Sequence, residues 1–416
     1  MFARTLRLYR NAYSGLSPST WLLAVVMFIN RCGTMVLPFL TLYLTQHLNF
    51  TVAQAGIVMA IYGTGAFVGT FLGGRLTDRF GFYPVQLLSL AASGVFLLGL
   101  QFVTDFYAIC LCSFLFTMLG DTFRPANSAA VAHYSQAVNR TRAFSVNRLA
   151  INLGWSVGGG LGGYLAGIDY SLLFWVDGLT CIAAAIVLRI FLPPPAADSV
   201  VKIPAVSETT VTPTVQASPY RDRPYLAFVT CVLLYATSFM LLFSLVPLYF
   251  KQELRLNETE IGLLMTMNGL LIVGVEMAMV YAIERRYAHR KVRIISVGVL
   301  LTGLSYAVFF AGTWPVIALF CMLLTTAGEM LSHPFFQAFA VERSTPQNRG
   351  QYLALHSMAF ALAQVLSPAL GSQVVALAGF PMLWMVATGL CLVSAAGFWR
   401  LSGRMTTVKT PAPEMA

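Results

Sequence analysis

Residues 53–104 read AQAGIVMAIYGTGAFVGTFLGGRLTDRFGFYPVQLLSLAASGVFLLGLQFVT, which is two apolar runs on either side of a short charged stretch. The runs cover 53–77 and 84–104, and each reaches the roughly 20 residues that an α-helix needs to cross the bilayer core. Only residues 78–83 separate them. The stretch therefore predicts two membrane-spanning helices joined by a tight loop.

The composition of the whole chain extends this prediction. Of the 416 residues, 57% are hydrophobic and 10% are charged, whereas a soluble domain carries about 25% charged residues. Too few charges remain to cover soluble domains, so the composition excludes a soluble enzyme, a disordered protein and a disulfide scaffold. The mean hydropathy of +0.73 agrees with a protein that crosses the membrane many times.

The seven cysteines all lie in apolar stretches and lack the spacing of a metal site: Cys32, Cys110, Cys112, Cys181, Cys231, Cys321 and Cys391. We interpret them as reduced, packed side chains. The sequence therefore predicts no metal, no cofactor and no structural disulfide.

Twelve segments are predicted as spans: 20–46, 53–77, 84–104, 106–131, 143–167, 171–192, 224–250, 260–284, 291–312, 315–341, 350–376 and 380–401. The predicted fold class is an all-α membrane protein with twelve transmembrane helices in two six-helix repeats. The predicted domains are a cytoplasmic interfacial segment, an N-terminal bundle, a cytoplasmic linker, a C-terminal bundle and a cytoplasmic tail, at 1–19, 20–192, 193–223, 224–401 and 402–416.

The basic residues predict the orientation of the chain. With the N-terminus inside, 21 of the 26 Lys and Arg residues fall in inner loops, in tails or at the inner ends of spans, and only Lys251 and Arg255 fall in outer loops. The positive-inside rule then places both termini in the cytoplasm. An integral, multi-pass protein of the plasma (inner) membrane is expected.

The two halves of the sequence resemble each other. Pro125 precedes Asn139 by fourteen residues, and Pro334 precedes Asn348 by the same spacing, at an offset of 209. The same offset relates the glycine run at 158–163 to residues 367–372. This pattern indicates a duplication, and two parallel six-helix repeats are a known plan of secondary transporters.

Two motifs resemble those of the major facilitator superfamily. The loop after the second span contains Gly74, Asp78, Arg79 and Gly81 in the pattern G-x-L-x-D-R-x-G. The fifth span resembles the superfamily's antiporter motif G-x-x-x-G-P-x-x-G-G, with glycine in place of proline: Gly154, Gly158, Gly159, Gly162 and Gly163. The overall pattern is similar to the twelve-helix drug:proton antiporters. Residues 30–33 faintly resemble the start of proton-coupled oligopeptide transporters.

The resemblance implies a gating role for the first motif, in which Asp78 and its loop lock the cytoplasmic gate. A topogenic charge pair is the alternative interpretation of Asp78-Arg79. Glycines at i and i+4 allow close helix packing in lipid, so the second motif predicts helix contacts whether or not it marks an antiporter.

Three charged residues are predicted near the midplane of the first and fourth spans: Arg31, Asp121 and Arg124. Charges at this depth are costly and commonly functional. Asp121 and Arg124 form either a structural ion pair or, with Arg31, a positive centre for an anionic substrate group. Asn30, Tyr43, Tyr62 and Tyr235 are further candidates for the substrate cavity, with helix packing as their alternative role. Asp177, near the outer end of the sixth span, is interpreted as structural at the interface.

The tenth span carries Glu329, His333 and Gln337 at a spacing of four, which predicts one polar stripe on an apolar helix. His titrates near neutral pH, so Glu329 and His333 form a candidate proton relay, and Gln337 a candidate cavity residue. Structural hydrogen bonding is the main alternative role for this stripe. A metal site is not expected, because the stripe offers only two strong ligands. Asp121 and Glu276 are further candidates for proton coupling.

A proton-coupled secondary transporter of small organic solutes is the predicted function, since no phosphate-binding loop of an ATPase appears. Efflux of amphipathic or drug-like compounds by proton antiport is preferred. Symport of peptide-like or anionic solutes is the alternative, and a non-transporting receptor or scaffold is a remote one. The expected partners are a small-molecule substrate, protons and the lipid bilayer. No nucleic acid or enzyme activity is expected, and the chain is expected to be a monomer.

Overall fold

The computed structural model describes residues 16–135, 140–192, 194, 219–276, 279–280, 282–283, 290–344 and 349–405. Within these ranges the regular elements are helices, and no strand occurs. This agrees with the predicted all-α class. The predicted N-terminal segment lies almost wholly outside the described residues, as do most of the predicted linker and most of the predicted tail.

Fourteen helices are numbered here in chain order. In the first half of the chain they are α1 Pro18–Cys32, α2 Val36–Leu42, α3 Val52–Phe80, α4 Phe82–Leu100, α5 Phe106–Asp121, α6 Phe123–Tyr134, α7 Arg140–Ala166 and α8 Ser171–Phe191. In the second half they are α9 Arg223–Phe239, α10 Val246–Gln252, α11 Glu258–Leu271, α12 Lys291–Ala307, α13 Val316–Arg343 and α14 Arg349–Met405. Two π-helical turns follow α2 and α11, at Tyr43–His47 and Ile272–Glu276.

By length and composition, ten helical segments of the described chain are able to cross a membrane. The first of them, Pro18–His47, combines α1, α2 and a π-helical turn. At 1.5 Å per residue, the 57 residues of α14 would extend about 85 Å, far more than the roughly 30 Å bilayer core. Gly379 has non-helical backbone angles (φ 77°, ψ 176°) and divides α14 into two helical segments.

The chain forms two compact units. Unit 1 comprises Met1–Val211 and Phe243–Val273, and unit 2 comprises Thr212–Leu242 and Gly274–Ala416. The contacts thus place α10 and α11 with the first half of the chain. The two six-helix bundles, which were predicted from the internal repeat, stay a prediction.

Glycines of α7 allow two helices of unit 1 to approach it closely. A Cβ atom on Gly154 would lie 2.5 Å from the Cβ of Arg31, so this face packs on α1. A Cβ atom on Gly163 would lie 2.4 Å from the carbonyl oxygen of Glu258 and 2.7 Å from the Cα of Gly262, so the other face packs on α11. The backbone of α7 therefore lies so close to α1 and α11 that any larger side chain at these glycines would clash with them.

A second set of glycines joins α3 to α5 and α6. Gly65, Gly69 and Gly73 repeat every four residues, which places them on one helix face. A Cβ atom on Gly69 would lie 2.2 Å from the carbonyl oxygen of Met118, and one on Gly73 would lie 2.6 Å from the Cα of Thr122. The sequence analysis did not single out this set.

The ends of three helices of unit 2 meet at Asp222. Its carboxylate accepts a hydrogen bond from the backbone N–H of Tyr225 at 3.2 Å, which caps the start of α9. The guanidinium of Arg343, at the end of α13, donates two hydrogen bonds to it at 2.7 and 2.9 Å. The hydroxyl of Tyr352, near the start of α14, donates a third at 3.0 Å. We call Asp222, Arg343 and Tyr352 the helix-end cluster.

Candidate functional site

The first span is interrupted between α1 and α2, at residues 33–35. Here Gly33 lies against α8, since a Cβ atom on it would be 1.8 Å from the Oγ1 of Thr180. Asp177 of α8 accepts a hydrogen bond from the backbone N–H of Val36 at 3.4 Å. Asp177 is only 5% exposed, so its side chain is enclosed by neighbouring residues, and its structural role at the interface stays a prediction.

The predicted charged residues of unit 1 lie near this interruption. Arg124 and Asp121 form an ion pair, with 2.7 Å between Nε and Oδ1, and their side chains are 51% and 15% exposed. Arg31 lies within electrostatic range of both, and Tyr62 lies within range of all three. The Nε of Arg31 is buried and has no hydrogen-bond partner among the described residues. Two cations and one carboxylate thus lie within electrostatic range of one another, and the positive centre stays a hypothesis.

In unit 2, side chains of α9 and α13 form a polar chain. The Nδ1 of His333 lies 4.0 Å from Oε1 of Glu329, one helical turn away. The Nε2 of His333 lies 3.2 Å from the hydroxyl of Tyr235, which accepts a hydrogen bond from Ser332 at 3.1 Å. The side chains of Glu329 and His333 are 19% and 24% exposed, while Tyr235 is fully buried. We call Glu329, His333, Tyr235 and Ser332 the polar chain of unit 2.

Aromatic rings surround His333. Ring centroids of Phe239 and Phe360 lie 4.8 and 5.4 Å from that of His333. Gln337, the third member of the predicted stripe, is exposed. The sequence analysis missed His356, which is buried, lies 5.3 Å from Phe360 by ring centroids, and has an Nδ1 without a hydrogen bond among the described residues. Aromatic rings one helical turn from an acid are a suitable environment for an organic cation.

Comparison with known proteins identifies the family of this chain. The sequence profile of the Major Facilitator Superfamily matches residues 22–249 and 228–415. The chain belongs to the Major Facilitator Superfamily. It is therefore a membrane transporter and not an enzyme, and the ten membrane-length helices found among the described residues indicate an integral, multi-pass protein.

Curated relatives within the superfamily cover most of the chain. A Na(+), Li(+), K(+)/H(+) antiporter of Planococcus maritimus is 26% identical, across 86% of this chain and 93% of the relative. The multidrug resistance protein MdtH of Aeromonas hydrophila is 23% identical, across 82% of this chain and 84% of the relative. The MFS-type transporter YqjV of Bacillus subtilis, which is called uncharacterized, is 22% identical, across 92% and 93%.

Solved structures show the same fold. A POT family transporter in complex with 5-aminolevulinic acid has a TM-score of 0.78 at 15% identity, covering 95% of this chain and 98% of that chain. The nucleoside transporter NupG has a TM-score of 0.74 at 15% identity, covering 92% and 99%. At such identities the likeness is evidence of fold alone.

The superfamily loop motif lies at the end of α3. Gly81, with φ of +86°, ends the helix, and its N–H donates to the carbonyl of Thr77 at 2.9 Å. Asp78 and Arg79 are exposed, and the Arg79 guanidinium lies 5.2 Å from the ring centroid of Phe80. Gly74 has open space where a Cβ would be. Asp78 makes no hydrogen bond or ion pair with the described residues.

The remaining predicted residues are dispersed. Tyr43 is buried in the π-helical turn, where it packs on Phe174 with centroids 4.9 Å apart, and not beside Arg31. The side-chain amide of Asn30 donates to the thiol of Cys181 at 3.6 Å. Glu276 ends the second π-helical turn and is 6% exposed. Among the described residues, no group of three or more His, Cys, Asp or Glu side chains is suited to hold a metal ion.

A contact that the sequence analysis missed joins distant parts of unit 1. The hydroxyl of Tyr170 donates to Oε1 of Glu258 at 2.7 Å, and Lys251 pairs with the same oxygen at 2.8 Å. Tyr170 directly precedes α8 and Glu258 begins α11, and 88 residues separate these two partners. Spacing along the sequence carries no information about a partner at such a distance. We call these three residues the Tyr170 contact.

Proposed function

We propose that this chain is a proton-coupled secondary active transporter that exports amphipathic, drug-like compounds by proton antiport and alternating access. Its twelve spans form two six-helix repeats in the plasma (inner) membrane, with both termini in the cytoplasm and one chain as the working unit. The polar chain of unit 2 carries this proposal, because it places an acid, an imidazole and a phenol in sequence on neighbouring helices. Such a series within membrane spans is suited to passing a proton.

Three further observations support antiport of a cation. Aromatic rings lie beside His333, one helical turn from Glu329, which favours an aromatic or cationic ligand. One relative is named a multidrug resistance protein, and another is named a cation/proton antiporter. Protonation of Glu329 would remove the negative charge that attracts the cation, so that proton and cation compete for one acid. Competition for a shared acid is a simple basis for exchange.

The experiment measures proton flux in proteoliposomes that contain a trapped pH-sensitive dye. Ethidium added outside acid-loaded vesicles is expected to release protons from vesicles with the wild-type protein. Glu329→Gln is expected to reduce this release to the level of empty vesicles, because the variant cannot exchange a proton. Glu342→Gln is the matched control, since Glu342 lies on the same helix but pairs with Lys291 away from the polar chain. Wild-type release in Glu329→Gln would contradict the proposed coupling residue.

Symport of anionic or peptide-like solutes is the second candidate. The cluster of Arg31, Arg124 and Asp121 favours it, because two cations outnumber one carboxylate. In the same vesicles, a dipeptide added with an acidic outside would then carry protons inward. An inward proton signal with the dipeptide and none with ethidium would replace antiport by symport. Silence with both solute classes would favour the non-transporting alternative.

A further inference from the structure

Asp177 is a buried carboxylic acid that the proposed transport mechanism does not yet use. It lies on α8, two turns from the helix start, and is 5% exposed. Its oxygens contact the backbone N–H of Val36 at 3.4 Å and the thiol of Cys181 at 3.9 Å. It forms no ion pair with the described residues. Burying an unpaired carboxylate costs far more than burying the neutral acid.

The helices packed around Asp177 bring few ionisable groups to it. Arg31 of α1 and Tyr62 of α3 lie within electrostatic range, and Cys181 lies one turn away on α8 itself. From α4 the contact is made by Gly94, against Gly178, and α2 has no titratable side chain. On α7, the described ionisable side chains, Arg148 and Tyr164, are exposed. Arg31 is thus the cation able to compensate an ionised Asp177.

We propose that Asp177 is a second proton-binding site, in unit 1, and that its proton exchange controls the interruption of the first span. When a proton binds, an O–H bond forms on the carboxylate and the negative charge that holds the Val36 N–H disappears. When the proton leaves, the carboxylate again accepts the hydrogen bond from the Val36 N–H of α2. Its negative charge then attracts Arg31 away from Asp121. The proton is taken from and returned to water, and no other bond changes.

The role in transport rests on the proposed function, whereas protonation of Asp177 can be measured without any substrate. Infrared spectroscopy of the purified protein detects the C=O band of a protonated carboxylic acid. We expect Asp177→Asn to remove part of this band at neutral pH. Asp169→Asn is the matched control, because the Ser171 backbone N–H donates to Asp169 at 2.9 Å and holds the pKa of that exposed carboxyl below its usual range. A band unchanged in Asp177→Asn would overturn the proposal.

A second measurement tests the link to the first span. Hydrogen–deuterium exchange of peptides covering residues 33–42, corrected for its intrinsic pH dependence, is expected to vary with pH in the wild type. Asp177→Asn is expected to remove that variation, and Asp177→Glu to retain it because the acid is kept. If Asp177→Asn does not fold, Asp177→Glu is used for the infrared test. The proposal then requires that the C=O band of the protonated acid differs in position between Asp177→Glu and the wild type. Exchange that is independent of pH in the wild type would overturn the link.

Flux measurements separate this proposal from the proposed function. With ethidium, Asp177→Asn is expected to reduce proton release without abolishing it, because Glu329 still exchanges its proton. If wild-type vesicles show no ethidium-driven flux but the infrared band depends on Asp177, the proposed function fails and the proton site stands. If the flux is normal in Asp177→Asn and the band is unchanged, the proton site fails and the proposed function stands.

Discussion

At the scale of single residues, the informative groups are polar side chains whose partners come from other helices. The spacing of Glu329 and His333 predicted one stripe, and the structure places them 4.0 Å apart. Tyr235 completes the polar chain from 98 residues away, and helical spacing carries no information about such a partner. Arg31, Asp121 and Arg124 were foreseen as a group because charges in apolar spans are conspicuous. Asp177 was foreseen as structural only, because its burial depends on how α8 packs.

Asp222 yields a prediction about pH. Burial alone would raise the pKa of Asp222, but hydrogen bonds from Arg343, the Tyr225 N–H and Tyr352 outweigh burial and lower it. A lowered folded-state pKa gives stability that is present above the unfolded pKa of about 3.9 and is lost as the pH falls below it. We expect the wild type to lose stability relative to Asp222→Asn between about pH 5 and pH 3.

Thermal unfolding in detergent, measured across this pH range, tests the prediction. At neutral pH, Asp222→Asn is expected to be less stable by about 1–3 kcal/mol, because a charged acceptor of three side-chain hydrogen bonds is lost. Asp105→Asn is a suitable control, since Asp105 caps α5 from an exposed position. A stability difference that does not change with pH would contradict this account of Asp222.

At the scale of elements, two glycine sets determine which helices approach most closely. The run in α7 was visible in the sequence, and glycines at i and i+4 predict a close helix contact. Its partners, α1 on one face and α11 on the other, could not be predicted because spacing does not identify the neighbouring helix. The set in α3 was overlooked, although its glycines also recur every four residues.

Gly163 provides the test at this scale. Gly163→Ala places a Cβ atom 2.4 Å from a backbone oxygen of α11, so helices must separate, and we expect a loss of about 1–3 kcal/mol. Gly99→Ala, in α4, meets nothing within 4 Å and is expected to be neutral or stabilising by up to about 1 kcal/mol. The measurement is the thermal unfolding midpoint of each variant. Equal midpoints for the two variants would show that α7 and α11 do not pack as described.

At the scale of the whole molecule, hydropathy was sufficient to predict an all-helical membrane protein, while the superfamily was indicated by the resemblance of two motifs. The two compact units could not be predicted, because the internal repeat reports ancestry and not which helices touch. Residues 243–273 belong to the predicted second repeat and, by contact, to unit 1. The Tyr170 contact is one product of this arrangement.

Alternating access requires that contacts between the repeats form and break. Tyr170 and Glu258 come from different predicted repeats, so we expect Glu258→Gln to loosen this contact. A cysteine introduced at Thr259 in a cysteine-free background should then react several-fold faster with a membrane-impermeant maleimide. Glu253→Gln is the control, because Glu253 is exposed and close in sequence but outside the contact. Equal labelling rates in both variants would exclude the contact from the transport cycle.

The π-helical turns at Tyr43–His47 and Ile272–Glu276 have a consequence for evolutionary comparison. Such a turn accommodates one residue more than the corresponding α-helical turn. One residue rotates the following side chains by about 100° around the helix axis. Relatives that lack these turns should therefore align with single-residue gaps inside their spans. A gap-free alignment would pair residues of each turn with positions of the relative that lie about 100° away around the helix axis.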